Sequence, residues 1–368
     1  MPQLQFSNIE IKSISCAVPS YKQRINLDPS HEHHRYLKHY ASQIGTIERH
    51  ISNCEQTCVD TGYIADVDSL KKASVNPEEI DALIFMSQTP DFNPSLCNAF
   101  LLQYRLGLRK NILAFDVPIG CASFGYGLSL AGSLLQQDNI KKVLMISGDT
   151  RWHEYANKQE LENAFYFLHG EGTTAIIFEK VTNKNVEPIT VSTFCDGSGY
   201  KYLYNPKGGA RNAWRKNLTN FKNHYGTILH ENCNMDGIEV TSFATTTVVD
   251  SVLEFLKDNS LCVDNFDSFI LHQANMQIIK SIMKRLNLSP EKVPISLDRY
   301  GNTDGASVTV TICDAFSECD KDKLRLLVCS FGVGLSWGIS DLYVSTKNIH
   351  SIIEVDGSQF EEGFIYPV

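Results

Sequence analysis

Short apolar runs alternate with longer amphipathic stretches over most of the chain. Runs of four to eight apolar, β-branched residues predict buried strands, and the intervening stretches predict helices. The predicted strands are 80–86, 112–117, 143–147, 174–178, 268–271, 324–329 and 339–344. The predicted helices are 96–106, 121–135, 240–256, 274–286 and one that begins near Gly305. This alternation predicts an α/β fold with mostly parallel sheets covered by helices.

The strand pattern divides the chain into two similar halves. Each half ends in two neighbouring strands after alternating strand–helix units, which indicates an internal repeat of topology. The polar stretch 182–187 is typical of a linker, so we predict an N-terminal half over 1–182 and a C-terminal half over 183–346. The pattern assigns no elements to 11–65 and does not place the tail 347–368.

Composition and charge narrow the class of protein. The 368 residues carry a net charge of −9 and include 11 cysteines without a CxxC pair. An acidic chain is a poor general nucleic-acid binder, and scattered thiols are typical of a reducing compartment. No apolar run is long enough to cross a bilayer, so we expect no membrane span and a cytoplasmic location. We also expect no metal site, because the His-rich segment 31–35 lacks the HExxH spacing.

Three residues follow predicted strands at positions where α/β proteins carry their chemistry. Cys121 lies between a strand and a helix, where the positive end of the helix dipole favours a thiolate. His272 follows the strand 268–271, and Asn302 precedes a helix. Taken singly, each also fits a structural role: a buried core cysteine, a core histidine or a helix N-cap.

Together, four motifs in this order resemble the condensing enzymes of the thiolase superfamily, most closely the β-ketoacyl-acyl-carrier-protein synthase III family. The motifs are Cys-Ala-Ser-Phe from Cys121, His-Gln-Ala-Asn from His272, Gly-Asn-Thr from Gly301, and Phe-Gly-Val-Gly-Leu-Ser-Trp-Gly from Phe331. Weaker matches lie at 44–51, 167–172 and 235–240, and the resemblance covers about residues 10–345. It implies a thiolase-like fold of two topologically similar halves, with mixed, mostly parallel sheets in α-β-α-β-α layers.

The resemblance also implies a reaction without a cofactor. Cys121 takes an acyl group from acyl-CoA or an acyl carrier protein, and malonyl carrier protein then loses CO₂ to give an enolate that attacks it. His272 and Asn302 donate hydrogen bonds to the enolate, and the amides of Cys121 and Val333 form an oxyanion hole. Other implied substrate-binding residues are Phe331, Gly332, Gly334 and, in a loop that reaches the partner's pocket of a homodimer, Phe92.

Several positions depart from the family pattern. The family's carrier-docking Arg corresponds here to Gln277. Lys280, Lys284 and Arg285 can instead form a basic patch that docks the carrier protein. The alternative is that these basic residues form an ordinary solvated helix face. The Trp and Arg that grip adenine correspond to His39 and Gln43. These changes favour an acyl-carrier or unusual acyl donor, and a specialised paralogue that serves a secondary metabolite or a surface polysaccharide. The insertion 196–225 is expected to reshape the acyl pocket or its entrance.

The sequence leaves two alternatives open. An acyltransferase of the same fold would pass the acyl group to an alcohol or amine, but such relatives often lose the asparagine that Asn302 matches. A non-catalytic partner subunit would generally lack the nucleophile, which the intact set of Cys121, His272 and Asn302 argues against.

Overall fold

The fold stacks two sheets in one chain, with a layer of helices between them. In this computed structural model the residues described are 3–52, 56–92, 96–151, 167–182, 186–205, 221–222, 228–229, 234–357 and 360. The N-terminal sheet has six strands in the order β17-β2-β8-β7-β5-β6. Its strands are β2 (Ile9–Pro19), β5 (Ala82–Met86), β6 (Leu113–Val117), β7 (Lys142–Asp149), β8 (Gly172–Lys180) and β17 (Ile353–Val355).

The C-terminal sheet repeats the arrangement of the first. Its order is β1-β9-β16-β15-β14, from β1 (Leu4–Phe6), β9 (Ile189–Cys195), β14 (Ser268–Leu271), β15 (Lys323–Gly332) and β16 (Ser336–Ser345). In the N-terminal sheet, β2-β8 and β8-β7 are antiparallel pairs and β7-β5 is parallel. In the C-terminal sheet, β9-β16 and β16-β15 are antiparallel pairs and β15-β14 is parallel. The predicted repeat of topology is therefore present.

Nine helices, numbered in chain order over the described residues, cover and separate these sheets. They are α1 (His34–Ile44), α2 (Cys58–Ala73), α3 (Asn98–Arg105), α4 (Ser123–Leu134), α5 (Gly237–Thr245), α6 (Thr247–Asp258), α7 (Met276–Leu286), α8 (Leu297–Tyr300) and α9 (Ser307–Phe316). The central core joins α4 and α9 to strands of both sheets, while α2 and α3 cover one outer face and α5, α6 and α7 the other. The result is the layered α-β-α-β-α arrangement that the resemblance implied.

Close packing of α4 against the C-terminal sheet depends on two glycines. A Cβ atom on Gly125 would lie 2.8 Å from the Cα atom of Gly338 in β16. Since real side chains do not tolerate such a contact, the absence of side chains here lets the helix approach the strand. The N-terminus of α4, which follows Cys121, is thereby held next to the end of β15 and the start of β16.

Both chain ends cross between the sheets. The first strand, β1, pairs with β9 of the C-terminal sheet, and the tail strand β17 pairs in parallel with β2 of the N-terminal sheet. Further along the tail, the Phe360 ring stacks on the Arg105 guanidinium of α3, 3.8 Å from the ring centre. The described part of the tail, which the sequence did not place, thus packs on the N-terminal half. The division of the chain at 182/183 stays a prediction.

The observed elements differ from the sequence pattern in two regions. The predicted helix 240–256 is two helices, because the backbone bends at Thr246 between α5 and α6. The unassigned region 11–65 contains most of β2, two short paired strands, β3 (Lys22–Arg24) and β4 (Glu48–His50), α1 and the first half of α2. The insertion 196–225 lies mostly outside the described residues; its described parts include a 3-10 helix (Gly197–Tyr202), β10 (Leu203–Tyr204) and β11 (Phe221–Lys222). Beyond it, β12 (Ile228–Leu229) pairs with β11 and β13 (Asn234–Met235) with β10.

Candidate active site

A cavity of about 570 Å³ lies at the strand ends where the two halves meet. Cys121, His272 and Asn302 all line it. Their exposed fractions are 7%, 2% and 5%, so all three side chains are removed from bulk water. The structure therefore brings the three residues singled out in the sequence to one enclosed site.

Cys121 is positioned by the turn between β6 and α4, and by the backbone of Gly332. A Cβ atom on Gly332 would lie 2.5 Å from Cys121 Cβ and 2.9 Å from its Sγ, so only glycine fits against the thiol. The expectation of a thiolate is wrong for the resting protein. Burial raises the pKa of the Cys121 thiol well above its ordinary value, and the nearby Asp304 carboxylate raises it further.

His272 is held by the end of β14 and by its neighbours on two sides. Its Nδ1 lies 2.5 Å from the Ser307 hydroxyl at the start of α9, and the Phe331 ring packs edge-on against the imidazole at 5.2 Å. Burial lowers the pKa of His272 to about 4, so the imidazole is neutral at physiological pH. Its remaining nitrogen, Nε2, is left for the cavity.

Asn302 is fixed through its backbone and through one side-chain atom. Its N–H donates to the Leu168 carbonyl at 2.8 Å, and its carbonyl accepts from the Gly170 N–H at 3.0 Å. Its Oδ1 accepts the N–H of Asp304 at 3.0 Å. Because the oxygen is engaged, the carboxamide has its Nδ2 donor left for other partners.

A charged cluster on the cavity wall was not found by the sequence analysis. Asp304 Oδ2 lies 2.9 Å from Arg151 Nε and 3.4 Å from His169 Nδ1. Burial alone would raise the pKa of Asp304, but Arg151 and His169 lower it well below its usual range. No local pattern could reveal the cluster, since its members come from three separate loops. The available signals were the position of Asp304, two residues after Asn302, and the weaker family match at 167–172, which contains His169.

The rest of the wall comes from segments outside the four principal motifs. The remaining lining includes residues of α1, of α5 and of the described flanks of the insertion: Tyr40, Ile44, Val240, Thr241, Leu203, Tyr204, Asn205 and Met235. Of the predicted substrate-binding and oxyanion-hole residues, Phe331, Gly332 and Val333 line the cavity. Gly334 and the half-buried Phe92 are not among the described lining residues.

The predicted docking residues lie on the exposed face of α7. Lys280 and Lys284 are exposed and, among the described residues, make no ion pair. Arg285 is also exposed but is paired with Asp250 of α6 at 2.8 Å. Gln277 donates a hydrogen bond to Gln43 of α1, so two of the positions at which the sequence departs from the family pattern contact each other.

The described residues contain neither a metal-binding cluster nor a membrane-spanning helix. No cluster of three His, Cys, Asp or Glu side chains there has the arrangement to hold a metal ion. No helix in the same residues has the length and apolar character needed to cross a bilayer.

The two matching sheets, with a cysteine, a histidine and an asparagine at one shared cavity, are those of a condensing enzyme with a thiolase-like fold. The family model described as 3-oxoacyl-[acyl-carrier-protein] synthase III matches residues 115–197, and the model of its C-terminal part matches 256–343. The chain belongs to the β-ketoacyl-acyl-carrier-protein synthase III family.

Individual relatives agree with this assignment. The chain is 33% identical to the β-ketoacyl-[acyl-carrier-protein] synthase III of Caldanaerobacter subterraneus over 81% of this chain and 87% of that one. It is 31% identical to the protein of the same name from Aliarcobacter butzleri, over 80% and 85% of the two chains. A solved 3-oxoacyl-(acyl-carrier protein) synthase from Burkholderia xenovorans superposes with a TM-score of 0.84 at 27% identity, covering 96% of this chain and 99% of that chain.

Proposed function

We propose that this protein joins an acyl thioester to malonyl-acyl carrier protein by decarboxylative condensation, through an acyl group carried on Cys121. The observation that carries the proposal is the convergence of Cys121, His272 and Asn302 on one buried cavity. Sulfur suits the first step, because a thiol exchanges acyl groups with another thioester at little thermodynamic cost. The reaction needs no cofactor.

His272 and Asn302 stabilise the enolate that forms when malonyl carrier protein loses CO₂. A neutral imidazole that accepts a hydrogen bond from the Ser307 hydroxyl at Nδ1 carries its proton on Nε2, from which it can donate a hydrogen bond into the cavity. Asn302 donates through Nδ2, since its Oδ1 is held by the Asp304 N–H. One such donor is typically worth about 3 kcal/mol in the transition state.

The tetrahedral adduct at Cys121 requires a second set of donors. We assign these to the backbone N–H groups of Cys121 and Val333. The contact between Gly332 and the thiol supports the assignment, because it brings the backbone that precedes Val333 against Cys121. A backbone donor is independent of the side chain, so the Val at this position is compatible with the role.

The acyl donor is an acyl carrier protein or an unusual acyl thioester rather than acetyl-CoA. His39 and Gln43 replace the aromatic and basic residues that would grip adenine, and Gln43 is engaged with Gln277. Leu203, Tyr204 and Asn205, which lie in the described part of the insertion, line the cavity and so contribute to its wall. A purified enzyme that prefers acetyl-CoA as its primer would contradict this part of the proposal.

The carrier protein docks on α7, and two copies of the chain form a homodimer. Lys280 and Lys284 present positive charge beside the cavity on an otherwise acidic protein, which complements the acidic surface of a carrier protein.

In the described sheet β6 is an edge strand, and α3 beside it exposes Phe100 and Tyr104. An apolar edge of this kind suits pairing with a second copy, whose pocket Phe92 would enter.

The test separates acyl loading from decarboxylation. The intact protein is incubated with a panel of acyl-CoA and acyl-carrier thioesters, and the mass added to Cys121 is measured. We expect one acyl group per chain in the wild type and none in Cys121→Ala. We expect His272→Ala and Asn302→Ala to load but to decarboxylate malonyl carrier protein at least about 100-fold more slowly. Wild-type protein that acquires no acyl group from any donor would overturn the proposal.

A further inference from the structure

Asp304 contacts the proposed nucleophile with an atom that the reaction above does not use. Its Oδ2 is taken by Arg151 and His169, whereas its Oδ1 lies 3.5 Å from Cys121 Sγ. That distance is a hydrogen bond for the larger sulfur atom, with the thiol donating to the carboxylate. The carboxylate is thus aimed at the one proton that must leave Cys121 when the sulfur is acylated.

Cys121 needs such an acceptor, because the imidazole is already committed. A His272 that donates from Nε2 to the enolate cannot also accept the thiol proton there, and its Nδ1 faces Ser307. Burial and Asp304 keep Cys121 in its thiol form, so the proton is still present when the donor thioester arrives. The nearest described acceptor with a hydrogen bond to Sγ is Asp304.

We propose that Asp304 is a catalytic residue of the acyl-loading step, in which its Oδ1 accepts the Cys121 thiol proton and returns it to the departing thiol. The Cys121 S–H bond breaks as its sulfur bonds to the thioester carbon. When the bond from that carbon to the donor sulfur breaks, Asp304 delivers the proton to that sulfur. The step is a proton and acyl exchange without oxidation, and it rests on the proposed function.

The surroundings of Asp304 suit a transient proton carrier. Arg151 and His169 keep the carboxylate ionised, so Oδ1 is ready to accept. A weak base is sufficient, because a thiol bonded to a carbonyl carbon becomes strongly acidic. The low pKa then favours release of the proton to the departing sulfur. The N–H of Asp304 holds Asn302 Oδ1, which links the two steps of the reaction through one loop.

The charges around Cys121 make the assignment testable, because one substitution should change the rates of alkylation and of acyl loading in opposite directions. Asp304 and Asp149 raise the pKa of the thiol, while Arg151 lowers it; His169 and His272 line the same cavity. Replacing the carboxylate of Asp304 by an amide should therefore lower the pKa of Cys121 and speed its alkylation. The same change removes the proton acceptor and should slow enzymatic acyl loading.

The experiment uses Asp304→Asn, because Asn is nearly isosteric and tolerates the left-handed backbone at this position, where φ is 47°. Alkylation of Cys121 by iodoacetamide is followed from pH 6 to 10, and acyl loading is followed by intact mass in single turnovers. We expect alkylation at neutral pH to be faster than in the wild type and its pH profile to move to lower pH, because the variant lacks a charge that raises the pKa of the thiol. We expect loading to be about 100-fold slower.

Two further variants serve as controls. Asp149→Asn removes a buried carboxylate whose hydrogen bonds go to Ser87, Gln88 and Thr89, and it should load at nearly the wild-type rate. Asp304→Glu retains the charge at a shifted position; its alkylation profile should match the wild type and its loading should lie between wild type and Asp304→Asn. Thermal unfolding establishes that each variant is folded.

The outcomes separate this assignment from the function on which it rests. Faster alkylation with slower loading supports a catalytic Asp304. The assignment is overturned if Asp304→Asn loads at the wild-type rate. It is also overturned if alkylation and loading are slowed together, because a purely structural role of Asp304 gives that result. If the wild type itself is not acylated, the proposed function fails first and the role of Asp304 fails with it.

Discussion

At the scale of single residues, burial decides the protonation states of the site. Cys121 and His272 are almost completely enclosed, and in each the uncharged form is favoured: the thiol pKa rises and the imidazole pKa falls. Asp304 is equally buried, yet Arg151 and His169 keep it charged. The site therefore contains one fixed ion-pair cluster next to two neutral reacting groups.

The buried neutral His272 predicts a pH dependence of stability. Its pKa is about 4 in the folded protein against an ordinary value of 6.5, so between these values the unfolded chain binds a proton that the folded one does not. Stability should therefore fall as pH falls through this range, by about 3 kcal/mol at most.

Urea unfolding at pH 7 and pH 4 tests this prediction on the wild type and on His272→Gln. Other titrating groups, including His50 and His350, contribute equally to both proteins. The wild type should lose about 3 kcal/mol more than the variant between the two pH values. Equal losses would show that His272 is not held neutral by burial.

At the scale of elements, the junction of β15 with the N-terminus of α4 sets the position of the nucleophile. Gly332→Ala would place a Cβ atom 2.5 Å from Cys121 Cβ, so the thiol must move. A displacement of about 1 Å at a reacting atom costs about 100-fold in rate. We expect acyl loading of Cys121 to fall by this factor.

A second glycine provides the matched control for Gly332→Ala. An added Cβ on Gly197 meets nothing within 4 Å, so Gly197→Ala should load at the wild-type rate. Measuring loading by intact mass alongside thermal unfolding separates displacement from loss of fold. A Gly332→Ala protein that loads normally would contradict the observed contact.

The exposed face of α7 predicts how the carrier protein is recognised. Reversing charge in Lys280→Glu with Lys284→Glu should raise the KM for malonyl carrier protein roughly tenfold, with little change in kcat. The effect should shrink at high ionic strength, since exposed charges are screened. Lys72→Glu, on the exposed surface of α2, is the control and should leave KM unchanged. An unchanged KM in the double variant would assign α7 to an ordinary solvated surface.

At the scale of the whole molecule, the exposed edge of the N-terminal sheet predicts a dimer. Leu113 on β6 and Phe100 on α3 are 44% and 49% exposed. Sedimentation should give about twice the chain mass of 41.3 kDa for the wild type, and single chains for Phe100→Asp with Leu113→Asp. Ile238→Asp, at an even more exposed apolar side chain of α5, should remain dimeric. A monomeric wild type at micromolar concentration would refute this prediction.

The sequence predicted the regular part of this fold because its strands contain short, mainly apolar runs. The observed β5, β14 and β15 lie within a few residues of their predicted bounds. It did not predict β2 and α2, whose buried faces are partly polar: Ser13 and Ser15 of β2 bond His350 and Asp68. A hydrophobic pattern cannot detect polar residues whose partners lie far along the chain.

The same distinction applies to the site. Cys121, His272 and Asn302 were found because each follows or precedes a recognisable element, within a motif. Asp304 and Arg151 are 153 positions apart, and only the tertiary fold makes them neighbours. The weaker matches at 44–51, 167–172 and 235–240 are also explained, because Ile44, His169 and Val240 within them line the cavity.

The central claim is that this cavity forms a carbon–carbon bond at Cys121, and one measurement tests it directly. Enzyme loaded with an acyl group on Cys121 is mixed with malonyl carrier protein, and CO₂ and the acylated carrier are quantified in a single turnover. The account predicts one CO₂ and one β-ketoacyl carrier for each acyl-Cys121 consumed. Transfer of the acyl group to an alcohol or amine with no CO₂ released would contradict it.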